Sequence, residues 1–359
     1  MRVRLADIAE KVNLSKMAVS QIIQGTGSFR PETRERVLEM SRTLGYHVNQ
    51  AARAMRKGSF DTIGLVIRDE SFHIDMPATI IKGIAAELYK NGLKLILVQA
   101  TNDVLNNKNS MVGISSSYMV DGLIVNCWGT IPDELREIAD KTAFPASWIN
   151  TDSPHNSVRP DDKGAGRIAT EYLLHMGHRK IGYVDCSAGP AAGHFSSPER
   201  LSGYIDAMKA AGLPCRIFSR NLDREKRFEE LSELFSNAGQ ATAFVTNGDF
   251  AAQPLILRAM SLGFKVPEDL SVICIGGTTS SLGISITNLP FPEIEIGSMS
   301  VKMLLGRISK KNCPLPSILI PFGEINGKSC APPHPAKRMI KQILKMKKEE
   351  MTCLKRKLI

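Results

Sequence analysis

The sequence predicts a small all-α head followed by an α/β body of two doubly wound parallel-sheet lobes. Three observations predict it. The first sixty residues carry three helical apolar stripes at helix–turn–helix spacing. Short apolar runs then alternate with helical patterns from Thr62 to Pro333. Finally, 359 residues are too many for one comfortable core.

Leu5, Ile8, Ala9 and Val12 fall at i, i+3, i+4 and i+7, which puts one apolar face on a first helix. Asn13 and Leu14 make a tight connection. Ser15 is a good N-cap for a second helix that holds Val19, Ile22 and Ile23 inside. Pro31 opens a third helix with the inner stripe Val37, Met40, Ser41 and Leu44, and Gly45 can close it in a left-handed conformation. Helices this short bury little surface, so the head is built to dock on something.

In the body, strand-like runs recur at Thr62–Ile67, Leu93–Val98, Gly122–Val125, Lys180–Val184, Ala243–Thr246 and Leu270–Ile275. Helical patterns separate them at Ala78–Asn91, Gly164–Met176, Glu199–Ala211 and Phe250–Leu262, with Gly92, Gly177, Gly212 and Gly263 at the C-terminal ends. Such alternation means parallel sheets covered by helices on both faces. Two lobes with a ligand cleft between them are expected, because ligands of these sheets bind outside the carboxyl ends of the strands.

Charge is uneven along the chain. Met1 to Phe60 has eleven Lys/Arg against five acids, net +6, and Pro335 to Ile359 is net +7. The whole chain carries only +10, so the stretch between them is about −3. A basic module at an end suits phosphate contacts, and duplex DNA is the expected partner of the head. A solvated charged surface is the plainer alternative.

Seven cysteines (Cys127, Cys186, Cys215, Cys274, Cys313, Cys330 and Cys353) are scattered without CxxC or zinc spacing, so no metal site is expected. The N-terminus lacks the apolar core of a signal peptide, and no stretch is apolar enough to span a bilayer. A cytoplasmic, nucleoid-associated location is expected. An enzyme is not: there is no Walker GxxxxGK[ST], HExxH, paired CxxC or GxSxG, and Gly164-Ala-Gly166 is too short to cradle phosphate. No cofactor is expected.

Leu5-Ala-Asp-Ile-Ala-Glu-Lys-Val, Leu14-Ser-Lys-Met-Ala-Val-Ser and Pro31-Glu-Thr-Arg-Glu-Arg-Val together resemble the DNA-binding head of the LacI (lactose-repressor) family of bacterial regulators. The resemblance continues, in family order, through Leu44-Gly-Tyr46, Ala51-Ala-Arg-Ala-Met55, Thr62-Ile-Gly-Leu-Val, Val120-Asp-Gly-Leu-Ile124, Gly177-His-Arg-Lys-Ile181, Arg200-Leu-Ser-Gly-Tyr204, Val266-Pro-Glu-Asp-Leu-Ser-Val272 and Gly327-Lys-Ser. It implies a dimeric regulator, a repressor of a palindromic operator, whose periplasmic-binding-protein-like body senses a small effector such as a sugar or derivative. The expected division is a helix–turn–helix domain over 1–46 and a hinge helix over 47–60. An effector-binding and dimerisation domain follows over 61–334, its chain crossing between lobes near 161 and 288, and then a basic tail over 335–359.

The resemblance also implies site residues. On the head, Arg4, Leu5, Ser15, Lys16, Met17, Ser20 and Gln21 would meet DNA, the second helix lying in the major groove. Asn49, Ala52, Arg53 and Met55 of the hinge would follow, with Met55 as a minor-groove wedge where the family usually has Leu; packing of the two hinges together is the plainer role for Met55. Gln21 stands where Arg is usual, which implies a preference for adenine over guanine at that step. Arg30 stands where a Ser-type cap is typical. In the body Asp161, Arg200 and Asp249 match effector-contacting positions, with Asn247, Trp128 and Phe195 as further candidates. Asp161 and Asp249 could equally be helix caps, and Arg200 a surface residue.

Two departures bear on the ligand. Gly276-Gly277 replaces the usual acidic pair after a strand, and Asp69-Glu-Ser-Phe-His replaces an Asn-Pro-Phe-Phe signature. A neutral sugar is expected first, then an acidic or phosphorylated ligand, then a protein co-regulator. Ile340, Leu344, Met351, Leu354 and Leu358 have heptad-like spacing broken by Lys347, so the tail reads as a basic arm, or alternatively as a short helix that makes tetramers. The competing reading of the whole chain is a small-ligand receptor without a DNA role.

Overall fold

A computed structural model describes residues 3–46, 58–68, 76–100, 118–126, 144–187, 193–222, 224–236, 241–277, 280–281, 283–310 and 313–333. The hinge residues Asn49, Ala52, Arg53 and Met55, Trp128, the Asp69–His73 stretch and the tail lie outside them. The chain divides into two compact units, Met1–Phe60 and Asp61–Ile359.

The first unit is α1 (Leu5–Val12), α2 (Lys16–Ile23) and α3 (Pro31–Thr43). Their stripes meet in one small core of Ile8, Ala9, Val12, Val19, Ile22 and Val37. Phe29 and Tyr46, which the periodicity does not mark, pack against it. Asn13 turns left-handed at φ 54° to separate α1 from α2. Ser15 Oγ then accepts the Ala18 N–H at 3.1 Å, filling one of the open donors of the first turn of α2. Arg30 stands before Pro31 with no side-chain cap bond.

The second unit holds two parallel sheets. In sequence order its strands are β1 (Thr62–Arg68), β2 (Lys94–Ala100), β3 (Gly122–Asn126), β4 (Ala146–Ile149), β5 (Ser157–Pro160), β6 (Ile181–Asp185), β7 (Ile217–Ser219), β8 (Ala243–Asn247), β9 (Ser271–Ile275), β10 (Ser280–Ser281), β11 (Ile284–Ser285), β12 (Thr287–Leu289) and β13 (Ile318–Ile320). The first lobe has the order β13-β5-β4-β3-β1-β2 and the second β12-β9-β8-β6-β7. β10 and β11 form a small antiparallel hairpin. Wholly buried runs such as Gly122–Asn126 and Ser271–Ile275 suit strands covered on both faces.

The covering helices are α4 (Ala78–Lys90), α5 (Asp162–His175), α6 (Ser196–Ala210), the shorter α7 (Arg224–Glu230) and α8 (Glu233–Ser236), α9 (Asp249–Ser261) and α10 (Glu293–Ser309). Two pairs cross at backbone contact. A Cβ on Gly166 of α5 would lie 2.0 Å from the Arg200 carbonyl oxygen, and one on Gly203 of α6 would lie 2.0 Å from that of Lys163. Gly83 of α4 and Gly297 of α10 approach in the same reciprocal way. Only glycine permits such crossings, and the first one sets Arg200 beside the start of α5.

The chain passes between lobes three times. It leaves the first lobe after β5, returns after β12, and leaves again after β13. This last passage is absent from the sequence expectation. Phe322 joins the core of the second lobe, and Asn326 pairs its backbone with Asn288. Ser329 Oγ accepts the Thr287 N–H at 2.7 Å, and the Ala331 carbonyl accepts from His178 Nε2 at 2.9 Å.

Candidate nucleic-acid interface and ligand cleft

On α2 the apolar face is spent on the head core: Val19 and Ile22 are buried. Lys16 and Met17 are left on the outer side, Met17 with 72% of its surface exposed. Ser20 and Gln21 are half-buried next to them. The Ser20 hydroxyl accepts from Gln24 Nε2 at 2.9 Å, which leaves its own proton to donate. Arg4 is exposed at the start of α1, and its backbone N–H is held by the Asp7 carboxylate at 2.7 Å. Leu5 packs against the head core. The helix that presents Lys16, Met17, Ser20 and Gln21 is therefore fixed at its start by Ser15 and at its back by Val19 and Ile22.

In the second unit a cleft of about 320 Å³ opens at the carboxyl ends of the strands of both lobes. Asn126 ends β3 and Asn150 follows β4 from the first lobe; Ser187 follows β6, Asn247 ends β8 and Gly276 follows β9 from the second. Ile80, Phe250 and Phe291 supply apolar wall.

Arg200 organises the polar floor. It is 8% exposed, and its Nε donates to Asp162 Oδ1 at 2.7 Å. Its Nη1 donates to Asn247 Oδ1 at 2.7 Å and to the Ile275 carbonyl at 3.3 Å. Asn247 Nδ2 in turn donates to Ser187 Oγ at 3.4 Å. Ser187 donates to Asp185 Oδ1 through its hydroxyl, at 2.5 Å, and through its backbone N–H. One chain of hydrogen bonds thus runs Asp162–Arg200–Asn247–Ser187–Asp185, anchored by a buried carboxylate at each end. It fixes the amide orientation of Asn247 and points the Ser187 proton away from the cleft. Burial pushes the Asp162 carboxyl up, while the adjoining Arg200 charge pulls it back down.

His194 lines the cleft and is 5% exposed. Its Nδ1 meets Ser196 Oγ at 2.7 Å, and its ring lies 4.3 Å from that of Phe195. Burial, helped by the Arg200 charge, pushes its pKa down to about 4, so it is neutral near pH 7. Glu293, the first residue of α10, lines the cleft from the first lobe and is half-buried. Burial pushes its carboxyl up.

The expected site residues are distributed as follows. Arg200, Asn247 and Asp249 line the cleft. Asp161 does not; its Oδ1 accepts the Gly164 N–H at 2.9 Å and caps α5, and the carboxylate that meets Arg200 is its neighbour Asp162. Arg200 is not a surface residue. Phe195 is turned onto His194 and lies under the Arg159 guanidinium at 4.9 Å. Gly276 has φ 76° and lines the cleft; a Cβ there would stand 3.4 Å from Arg200 Nη2. Gly277 is pressed against Asp249, with a Cβ only 2.1 Å from its Oδ1, and both of its peptide groups are gripped by the Asn288 amide. Asn126, Asn150, Ser187, His194 and Glu293 escaped the sequence reading. For the two asparagines a usable signal existed: each is the polar residue that ends an apolar strand run.

Residues 4–49 match the family described as bacterial regulatory proteins, lacI family, and residues 170–330 match a periplasmic binding protein-like domain. The chain belongs to the LacI family. It is therefore a DNA-binding transcriptional regulator with a ligand-binding type of body. Among LacI-family relatives, it is 27% identical over 316 residues to the HTH-type transcriptional repressor PurR of Aliivibrio salmonicida strain LFI1238, covering 86% of this chain and 93% of that one. A lac repressor dimer bound to operator and the anti-inducer ONPF superposes with a TM-score of 0.74 at 20% identity, covering 92% of this chain and all of that one. The regulator CelR in complex with cellobiose superposes at 0.59 with 22% identity, covering 91% and 100%. Among the described residues no His/Cys/Asp/Glu group could hold a metal ion, and no helix is long and apolar enough to cross a membrane.

Proposed function

We propose that this protein is a repressor that binds a palindromic operator as a homodimer and is switched by a small polyhydroxylated effector in the inter-lobe cleft. The observation that carries the reading is the cleft itself. Amides from both lobes, a neutral imidazole and a braced guanidinium surround apolar walls, the mixture that grips hydroxyls on an apolar ring. One relative by fold carries cellobiose, which supports a sugar or sugar derivative. Arg200, Asn247 and Asp249 contact the effector in this reading. Lys16, Met17, Ser20, Gln21 and Arg4 meet DNA, and Asn49, Ala52, Arg53 and Met55 form the hinge. Exposed Tyr89, Leu97, Tyr118 and Met119 on the first lobe, with Leu97 on the edge strand β2, supply a face for the second copy. A receptor without a DNA role leaves residues 4–49 without purpose.

Selection from a random duplex pool at ~0.15 M salt, where weak non-specific binding fades, tests the reading. Enrichment of a short palindrome that a ligand weakens or strengthens is the expected result. No enrichment with or without cleft ligands would overturn it.

A further inference from the structure

The charges in the cleft do not balance. Arg200 is the one cation among its described lining residues, and its charge is already met by Asp162 behind it. His194 is neutral. Glu293 from the first lobe then remains as a negative group facing this small volume, across from Asp249 of the second lobe.

Glu293 is the unexplained member. Its carboxylate makes no ion pair and no side-chain hydrogen bond with any described residue, although it is partly withdrawn from water. Burial pushes its carboxyl up, and no described cation opposes it. A carboxylate held this way costs stability unless something supplies donors. The α4–α10 crossing at Gly83 and Gly297 fixes the helix that carries it at the edge of the cleft. Opposite, Gly276 offers no side chain, which leaves room beside Arg200 Nη2. Phe250 and Phe291 line the same volume and give it apolar wall; the Phe250 ring already carries the Arg227 guanidinium at 5.4 Å.

We propose that Glu293 is a specificity-determining residue of this cleft and that the effector presents a protonated amine to it, as an amino sugar does. The proposal rests on the reading of the cleft as an effector site for a polyhydroxylated ligand, and narrows it. An amine meets Glu293 from the first lobe while ring hydroxyls meet Arg200 and Asn247 from the second, so one ligand draws the two lobes together. Acidic and phosphorylated sugars are disfavoured by Glu293 and Asp249 alike.

Calorimetric titration of the full chain with three matched sets tests it: neutral aldohexoses (glucose, galactose, mannose), their 2-amino counterparts, and glucuronate, galacturonate and mannose 6-phosphate. At least one amine is expected to bind more tightly than its neutral and anionic counterparts. Glu293→Gln is expected to weaken that amine by roughly 10- to 100-fold, the loss typical of a charge-assisted hydrogen bond. Glu295→Gln, which removes an exposed charge two residues away, is expected to leave it unchanged. Thermal unfolding checks that both variants fold. Binding led by an anion, an amine preference that survives Glu293→Gln, or no amine binding at all would each overturn the proposal. A neutral sugar that binds best and ignores Glu293→Gln would overturn it while leaving the effector reading intact.

Discussion

Arg200 Nε donates to Asp162 Oδ1 at 2.7 Å, and the carboxylate it meets is fully buried. The pair joins α6 to the first turn of α5 directly under the ligand cleft. Removing one partner leaves a buried charge alone, which is worse than removing both.

Arg200→Met is therefore expected to destabilise the chain by about 3–5 kcal/mol, and Arg200→Met with Asp162→Asn by clearly less. Urea unfolding of the three proteins checks this. Equal losses in the single and double variants would show that Arg200 acts through packing alone.

Acid is expected to weaken the body through His194. Its folded pKa of about 4 lies below the unfolded value near 6.5, so the unfolded chain binds the proton more readily between those limits. Stability rises with pH across that window and is lost on acidification, by up to about 3 kcal/mol. His178 is also lowered by burial and acts in the same direction. Urea midpoints from pH 7 to pH 4 for the natural chain and His194→Gln should show a shallower slope in the variant.

The two glycines after β9 are expected to respond differently to alanine. Gly277→Ala must push aside both the Asp249 carboxylate and the buried Cys274 Sγ, and should cost ligand affinity together with about 1–3 kcal/mol of stability. Gly276→Ala meets no atom closer than Arg200 Nη2 at 3.4 Å, so its cost is the left-handed backbone, about 1–2 kcal/mol. Asp249→Ala should relieve the part of the Gly277→Ala cost that comes from the carboxylate, the Cys274 contact remaining, and leave Gly276→Ala unaltered. Thermal unfolding of the paired variants decides it.

At the head, Gln21→Arg is expected to convert an adenine preference at one operator step into guanine, a discrimination of about 1–3 kcal/mol. Selected sites for the two proteins, aligned on their palindromes, make the comparison. Identical logos would mean that residue 21 does not reach a base edge.

Gly92, Gly177, Gly212 and Gly263 mark helix ends in the sequence, and each takes the positive φ that closes its helix. Where the pattern was weak, the reading stopped. Helix α10, the 17 residues Glu293–Ser309, goes unmarked because its buried face carries Gly297, Ser300 and Arg307. Strands β4 and β5 are four residues each, and β5 contains Arg159 and Pro160 in place of an apolar run. In the cleft, Arg200 and Asp249 were legible through the family resemblance, and Asn247 beside them is the polar end of the apolar strand β8. His194 and Glu293 were not, since packing from distant elements, rather than local spacing, puts them there.

Three separate strands of chain tie the lobes, and the third is fastened well inside the second lobe through Phe322, Asn326, Ser329 and Ala331. A single tether would let the lobes swivel freely, and two would still allow twist about the line joining them. With a third anchor the lobes are left with little freedom but to open and shut like a book along one spine. A ligand of molecular size in the cleft can then set the angle of a whole lobe, because hinge closure is the motion the three tethers resist least.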